Sequence, residues 1–318
     1  MKSLKMERKE ARNMKVDVIL LTLNSVKPRL QECLHSLSKE VPVSRLIVVD
    51  GGSTDKTLDI CREYFPNCKI IMDIGGSRAT SRQKGIEAVQ TDLFMFIDSD
   101  VVLHSNWFKE ALKYFNSGVG AVQGTTIEKI QPVIQDFEYA MKRLRKIFGG
   151  PTYRPFLSRA QPFMEPMQRG LTVIIKTELV EDIKIPKILH ILEDHYIKAW
   201  VEKKGYVWLT SPTATCEHEI IGRSPKSISY NSFIVYLTGF TSLKHSLIAM
   251  IMFFPKILFA LILRPNLRMA WWQLRLQLWS FLGILKARLI TKKRLDVKEI
   301  LQFKAGTQKY IDMSLESK

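Results

Sequence analysis

The sequence predicts an α/β domain built on a mostly parallel sheet, followed by a segment of apolar helices. Three observations carry this expectation. Short, β-branched or continuously apolar runs recur through the first half, at 16–23, 44–50, 69–73 and 92–98. Strands buried on both faces have this composition. Stretches with helical patterning lie between them, at 27–40, 55–65 and 78–90, and strand–helix–strand alternation implies parallel strands with right-handed crossovers. The last quarter changes character: residues 246–263 form an apolar run interrupted only by Pro255 and Lys256.

Taken in order, VDVILLTL (16–23) is the first strand, and SRLIVVD (44–50) the second, ending at Asp50. Ser53 and Thr54 precede the helix at 55–65 as expected caps. KIIMD (69–73) is a third strand, and DLFMFID (92–98) a fourth, ending at Asp98 with Asp100 close behind. Sheets of this type bind ligands beyond the carboxyl ends of their strands, which is where Asp50 and Asp98 fall. Two carboxylates one residue apart repel unless they are solvated or share a cation. A helix at 105–116 with Ser105 as cap follows, then a strand at 118–127. Residues 136–165 are basic and interrupted by prolines, with KRLRK at 142–146, and are expected to form a mobile or surface-docking loop. GLTVIIKTEL (170–179) is a strand, 188–205 a helix ended by Gly205, and YVWLT (206–210) a strand.

The tail points to lipid. An 18-residue helix over 246–263 is about 27 Å long, just short of the hydrocarbon thickness of a bilayer. In WWQLRLQLWSFLGILKARLI (271–290), Gln273, Gln277 and Ser280 recur at i, i+4 and i+7, so one face is polar, as in an interfacial helix. Trp271, Trp272 and Trp279 alternate with Arg and Lys as interface anchors do. Whether the tail is integral through 246–290 or lies on the surface stays open. The chain has 48 Lys+Arg against 31 Asp+Glu, formally +17. Residues 241–318 hold 14 of these bases and 4 of the acids. Bases flanking apolar segments indicate an anionic membrane surface. No zinc-finger spacing or Arg/aromatic RNA-binding signature is present, so nucleic acid is not an expected partner. Four cysteines without CxxC spacing fit a reducing compartment. The basic segment 1–13 is followed by no apolar h-region, so a cleaved signal peptide is not expected. The expected division is a basic segment at 1–13, an α/β domain at 14–220 and a membrane-associating helical region at 221–318.

Singly, the polar motifs are weak signals. An acidic pair after a strand is commonly a solvated turn, and VVDGGSTD (48–55) could be a plain strand–turn–helix. Their order is more specific: VILLTLNS, VVDGGSTDKT, GGSRATSRQKGIEAV, FMFIDSDVVL, a Gly-led strand, ILEDHYIKAWVEKKGY and CEHE. Over roughly 14–220 the chain resembles the family 2 glycosyltransferases, inverting nucleotide-sugar enzymes with the Rossmann-like GT-A fold. The resemblance implies that Asp98-Ser99-Asp100 is the DxD motif that neutralises a departing diphosphate through a divalent metal. Asp100 would be the ligand, with Asp98 facing the ribose or the metal's shell. Hard oxygen ligands suit Mn²⁺ or Mg²⁺, and His218 of CEHE would complete the metal site. The resemblance also implies that Asp50 accepts a bond from the nucleobase edge, that Thr22 and Asn24 begin the base pocket, and that Arg82 contacts the nucleotide. The match at Arg82 departs from the family pattern, with Ser81 and Gln83 in place of Ala and Asn. Glu193-Asp194 matches the acidic pair at a helix start, with Asp194 as the base; Glu181-Asp182 precedes a Pro-containing loop and is a decoy. Where the acceptor is a phosphate, already anionic, Asp194 would orient it or bind metal instead.

The expected activity is transfer of a sugar from a UDP- or GDP-linked donor to a lipid-linked acceptor, such as a polyprenyl phosphate or a lipid-borne glycan, at the cytoplasmic face of a membrane. A peripheral enzyme acting on a polysaccharide or protein glycan is the alternative within the class. A QxxRW signature is absent, which counts against a processive polymerase. The alternative from another class is a non-catalytic GT-A scaffold at the membrane, which predicts loss of at least one of Asp50, Asp100 or Asp194. All three are present.

Overall fold

A computed structural model describes residues 14–115, 117–130, 132–148, 171–187, 189–220, 225–237 and 241–290 of the 318-residue chain. The basic segment 1–13, Gly170, and the proline-containing stretch 149–165 lie outside the described residues.

The apolar runs form β1 (Val16–Thr22), β2 (Val43–Asp50), β3 (Lys69–Met72) and β4 (Leu93–Asp98). They are followed by β5 (Val101–Leu103), β6 (Val119–Ile130), β7 (Thr172–Lys176) and β8 (Val207–Ile220). All eight join one sheet in the order β3-β2-β1-β4-β7-β6-β8-β5. The β1–β2, β1–β4 and β2–β3 pairs are parallel, and β7 runs antiparallel to both β4 and β6. The register aligns Thr22 with Asp50 and Leu21 with Asp98. Three polar residues that the sequence leaves at the ends of apolar runs are thereby brought to one edge.

Five helices flank this sheet and its connections: α1 (Leu30–Glu40), α2 (Thr57–Tyr64), α3 (Arg78–Glu87), α4 (Trp107–Leu112) and, further along the chain, α6 (Glu193–Lys203). Leu30, Cys33, Leu34 and Leu37 of α1 repeat at helical spacing and are buried in the core with Val18, Leu20, Val48 and Met95. On α3, Gly85 lies against Ile19, where an added Cβ would meet Ile19 Cγ2 at 2.5 Å. That close approach sets the seat of the helix that carries Arg82.

Several boundaries differ from expectation, each for a local reason. Ser53 and Thr54 do not cap α2; it begins at Thr57, whose amide donates to Asp55 Oδ1 at 3.0 Å. Ser105 does not cap α4, which starts after Asn106 at φ 63°. The helix expected at 188–205 begins at Glu193, after Leu192 at φ 72°, and Gly205 follows its end at φ 85°. The strand expected at 206–210 continues to Ile220.

The described residues divide into two compact units, one holding those within 14–128 and 171–219, the other those within 129–148 and 220–290. The second contains α5 (Pro132–Phe148), α7 (Pro225–Leu237), α8 (Leu243–Leu263) and α9 (Leu267–Ile290). The first part of the expected loop at 136–165 is therefore helix. Pro132 opens α5, at a position where a missing N–H costs nothing. Helix α8 is long and apolar enough to cross a membrane, with mean hydropathy 2.4 over its best window. On α9 the expected polar face turns inward: Gln273 is buried, and the hydroxyls of Ser280 and Ser232 are 2.8 Å apart.

Candidate active site

The site is built at the carboxyl ends of β1, β2 and β4. At the first corner, the Asp50 carboxylate is fully buried and accepts four hydrogen bonds. Thr22 Oγ1 donates to Oδ2 at 2.7 Å, and Ser53 Oγ donates to Oδ2 at 2.6 Å. The Gly52 and Ser53 amides donate to Oδ1 at 2.9 and 2.7 Å. Burial alone would raise its pKa, but these donors hold it below the ordinary carboxylate value. Four bonds fill a carboxylate's acceptor capacity, so Asp50 fixes the turn that follows β2 and has no free lone pair for a nucleobase. Gly52, at φ 101°, makes that turn. Asn24, at φ 50°, is tied to it: its amide donates to Ser53 Oγ at 2.8 Å, and its Oδ1 accepts from the Thr54 amide at 2.9 Å. Around this knot the side chains of Leu23, Met72 and Ile74 stay exposed.

At the second corner, Asp98 Oδ2 accepts from the Leu171 amide at 2.8 Å, beside the β4–β7 ladder. Asp100 turns the other way. Val101 pairs with His218 across β5 and β8, which sets His218 Nε2 3.2 Å from Asp100 Oδ2. Burial would lower the His218 pKa, but the bond to Asp100 and the fields of Asp100, Asp98 and Glu128 raise it. Its Nδ1 is buried without a partner. The expected metal set of Asp98, Asp100 and His218 is therefore split: Asp100 and His218 meet, whereas Asp98 is engaged by Leu171 and Arg82. Among the described residues no cluster of three or more His, Cys, Asp or Glu is arranged to hold a metal. One hard carboxylate oxygen and one imidazole nitrogen nevertheless suit a divalent cation that takes its remaining ligands from diphosphate and water. Ser99 lies between the two acids, partly exposed.

Arg82 joins the corners. It is 3% exposed, so it is not a surface charge on α3. Its Nε donates to Glu193 Oε1 at 3.1 Å and its Nη2 to Asp98 Oδ1 at 3.4 Å. The guanidinium lies 4.9 Å from the centroid of the Phe96 ring, and Nη1 is buried without a partner. Glu193 is equally buried. That burial raises its pKa, against the opposing pull of Arg82. The decoy Asp182 pairs with Lys204 at the surface.

Asp194, next along α6, is held differently. Its Oδ1 accepts from the His195 amide at 2.8 Å and lies 2.9 Å from His195 Nδ1. Burial would raise the Asp194 pKa, but His195 and the field of Arg82 hold it below the ordinary carboxylate value. His195 is the partner of Asp194 that motif matching passes over. An imidazole directly after an acid at a helix start is the signal that would have found it. A folded pKa that is depressed keeps the base ionised until pH falls through that lowered value. Replacing His195 with Ala is expected to move the acidic limb of the kcat/KM profile to higher pH. His195→Asn, which keeps a donor, should move it less. An unmoved limb in His195→Ala would show that His195 does not tune Asp194.

The acid-lined edge of the parallel sheet thus carries the Asp100–His218 pair on one side, and Arg82 ties Asp98 to the acidic start of α6 on the other. Comparison with known proteins identifies the family. The profile described as Glycosyl transferase family 2 matches residues 17–172, and the chain belongs to the family 2 glycosyltransferases. It is 29% identical over 123 residues to the glycosyltransferase AglE of Haloferax volcanii, covering 36% of this chain and 38% of that protein. It is 31% identical over 111 residues to the O-antigen chain rhamnosyltransferase WbaN of Salmonella anatum, covering 34% and 35%. The match thus spans little more than a third of each of these two relatives. Among solved structures, S. aureus TarS 1-349 in complex with UDP-GlcNAc superposes with a TM-score of 0.49 at 18% identity, over 70% of this chain and 66% of that one.

Proposed function

We propose that this protein transfers a sugar from a UDP- or GDP-linked donor to a lipid-linked acceptor, with inversion, at the cytoplasmic face of a membrane. The observation that carries the reading is the Arg82 bridge. One buried cation touches both the DxD carboxylate Asp98 and the acidic pair that opens α6, so the diphosphate end and the base end of the site form one unit. Thr22, Asn24 and the turn fixed by Asp50 border the nucleobase, with Leu23 and Ile74 offering apolar surface to its face. Asp98, Ser99 and Asp100 face the ribose and diphosphate. Asp100 and His218 would hold Mn²⁺ or Mg²⁺, which when bound screens the charge of the departing diphosphate. Asp194 Oδ2 makes no hydrogen bond among the described residues and takes the proton of an acceptor hydroxyl as it attacks the anomeric carbon. Attack opposite the leaving group inverts that carbon in one displacement. Glu193, neutralised by Arg82, stays in place to orient Asp194. The apolar tail supports a lipid-borne acceptor.

The test is a screen of UDP- and GDP-sugars against total lipid extract with Mn²⁺ or Mg²⁺ present, following label into the lipid phase. Asp100→Ala is expected to lose at least about 100-fold in turnover, the cost of removing one preorganised charge-stabilising group. No donor turnover, or Asp100→Ala equal to the unaltered protein, would sink the reading.

A further inference from the structure

Residues 220–295 contain twelve Lys or Arg and no Asp or Glu. The stretch is strongly apolar as well, and the helices of the second unit pack with their polar positions inward. Gly283 of α9 rests on the Ser229 carbonyl of α7, where an added Cβ would meet the oxygen at 2.1 Å. Together with buried Gln273 and the Ser232–Ser280 contact, this makes a seam of small and polar residues. The apolar side of α9 points away from that seam: Leu267, Trp271, Leu274, Leu278, Leu282 and Leu289 are exposed. At about 100° per residue these six fall within an arc of about 80°, while exposed Trp279 lies outside it, about 100° from its centre. Arg268, Arg275 and Lys286 form a second exposed row, about 60° to one side of the first. None of the three is in an ion pair among the described residues. The row extends about 27 Å, nearly the length of the helix.

Helix α8 is apolar over a wider arc, with the exposed base Lys256 at its edge. Leu247, Ile251, Phe254, Leu258 and Ile262 are exposed in one line, widened by Ile248 and Met252. Lys256 projects about 160° from that line.

We infer that α8 and α9 lie in the plane of an anionic bilayer, with their apolar lines in the acyl boundary and the Arg268–Arg275–Lys286 row among lipid phosphates. The proposal rests on the membrane reading above and gives it an orientation. A transmembrane hairpin fits the charges badly. Lys256 lies eight residues before Arg264, and Arg275 nine residues after Asn266, so both would sit about 12 to 14 Å from the turn. That is close to the middle of a hydrocarbon core about 30 Å thick, where each charge disfavours insertion on the order of a hundredfold. A basic row over about 27 Å of one helix face would set charges at several depths of a bilayer; in the plane, every member reaches the same headgroup layer.

The test uses the full chain with sealed vesicles of phosphatidylcholine, with and without phosphatidylglycerol. Partition is expected to rise with the anionic lipid and fall with salt. Replacing Arg268, Arg275 and Lys286 together by Gln should weaken it by about 100-fold, at about fivefold per residue. The turn residue Pro265, replaced by Cys, should react with a membrane-impermeant maleimide added on the side from which the protein bound. Labelling of Pro265→Cys only from the opposite compartment would overturn the in-plane orientation while leaving membrane association intact. So would binding that ignores both lipid charge and the triple variant. Self-association into a dimer with no vesicle partition would remove the membrane reading itself. Donor turnover in the triple variant, which leaves the α/β site untouched, reports separately on the enzyme.

Discussion

Replacing Asp194 with Asn is expected to lower kcat by about a thousandfold, within the range that a positioned general base contributes. The donor KM should change little. The structure separates the two effects because Asp194 hydrogen-bonds within its own helix through His195, not with Thr22, Asn24 or Asp50, where the nucleotide is proposed to bind. Asn is isosteric and can still accept at Oδ1 from the His195 amide, so α6 should keep its start. Isothermal titration with UDP or GDP would check that donor affinity survives. The size of the loss also reports on the acceptor. A hydroxyl acceptor needs its proton removed and should show the full effect; a phosphate acceptor is already a nucleophile and should show less than a tenfold loss. A large fall in donor affinity without a fall in kcat would move Asp194 out of the base role.

What was legible in the sequence follows how local the determining forces are. The four parallel strands could be read because each is a short apolar run ending at or beside a polar residue, and the register brings those ends together; β3, at the sheet edge, is exposed at its ends and half-buried between, not buried as its composition suggested. Caps and helix starts were less legible because hydroxyls have alternatives at a distance. Ser53 looks like a cap for α2 but serves Asp50 and Asn24 instead. Helix α5 reads as a loop because its KRLRK run and flanking prolines suggest solvent, whereas Pro132 marks a start. The tail reversed most: glutamine and serine at helical spacing suggest a wet face, yet Gln273 is buried and Ser280 faces Ser232. In an apolar environment the polar groups go inside, and no single-helix pattern shows which environment applies. In the site, types and positions were legible and partners were not. The contact of Arg82 with Glu193 spans 111 positions in sequence, and the pairing of His218 with Asp100 depends on a cross-strand register that β8 sets only by continuing past residue 210.

Arg82→Met should be the most disruptive single change in the α/β unit. Met keeps much of the side chain's bulk against Phe96 but removes the charge, leaving Glu193 buried beside Asp194 with only the weaker field of Arg78. Breaking a buried pair by removing one partner costs about 3 to 5 kcal/mol, which is a large share of the stability of a typical domain. The pH dependence carries the signature. Burial already raises the Glu193 pKa and Arg82 restrains it, so removing Arg82 raises it further. A carboxyl whose folded pKa is raised binds its proton more tightly when folded, so its contribution is fully present below the unfolded value and is lost as pH rises through the folded value. The variant's deficit should therefore be greatest near neutral pH and shrink on acidification, as followed by urea titration at several pH values. Adding Glu193→Gln removes the uncompensated charge and should recover most of the stability while turnover stays low, because Asp98 still lacks its brace. Recovery of stability and turnover together would mean that Arg82 only neutralises Glu193. Loss of turnover with recovered folding is the expected result, and it would place Arg82 as the positioning residue that holds the diphosphate and base ends of the site in one geometry.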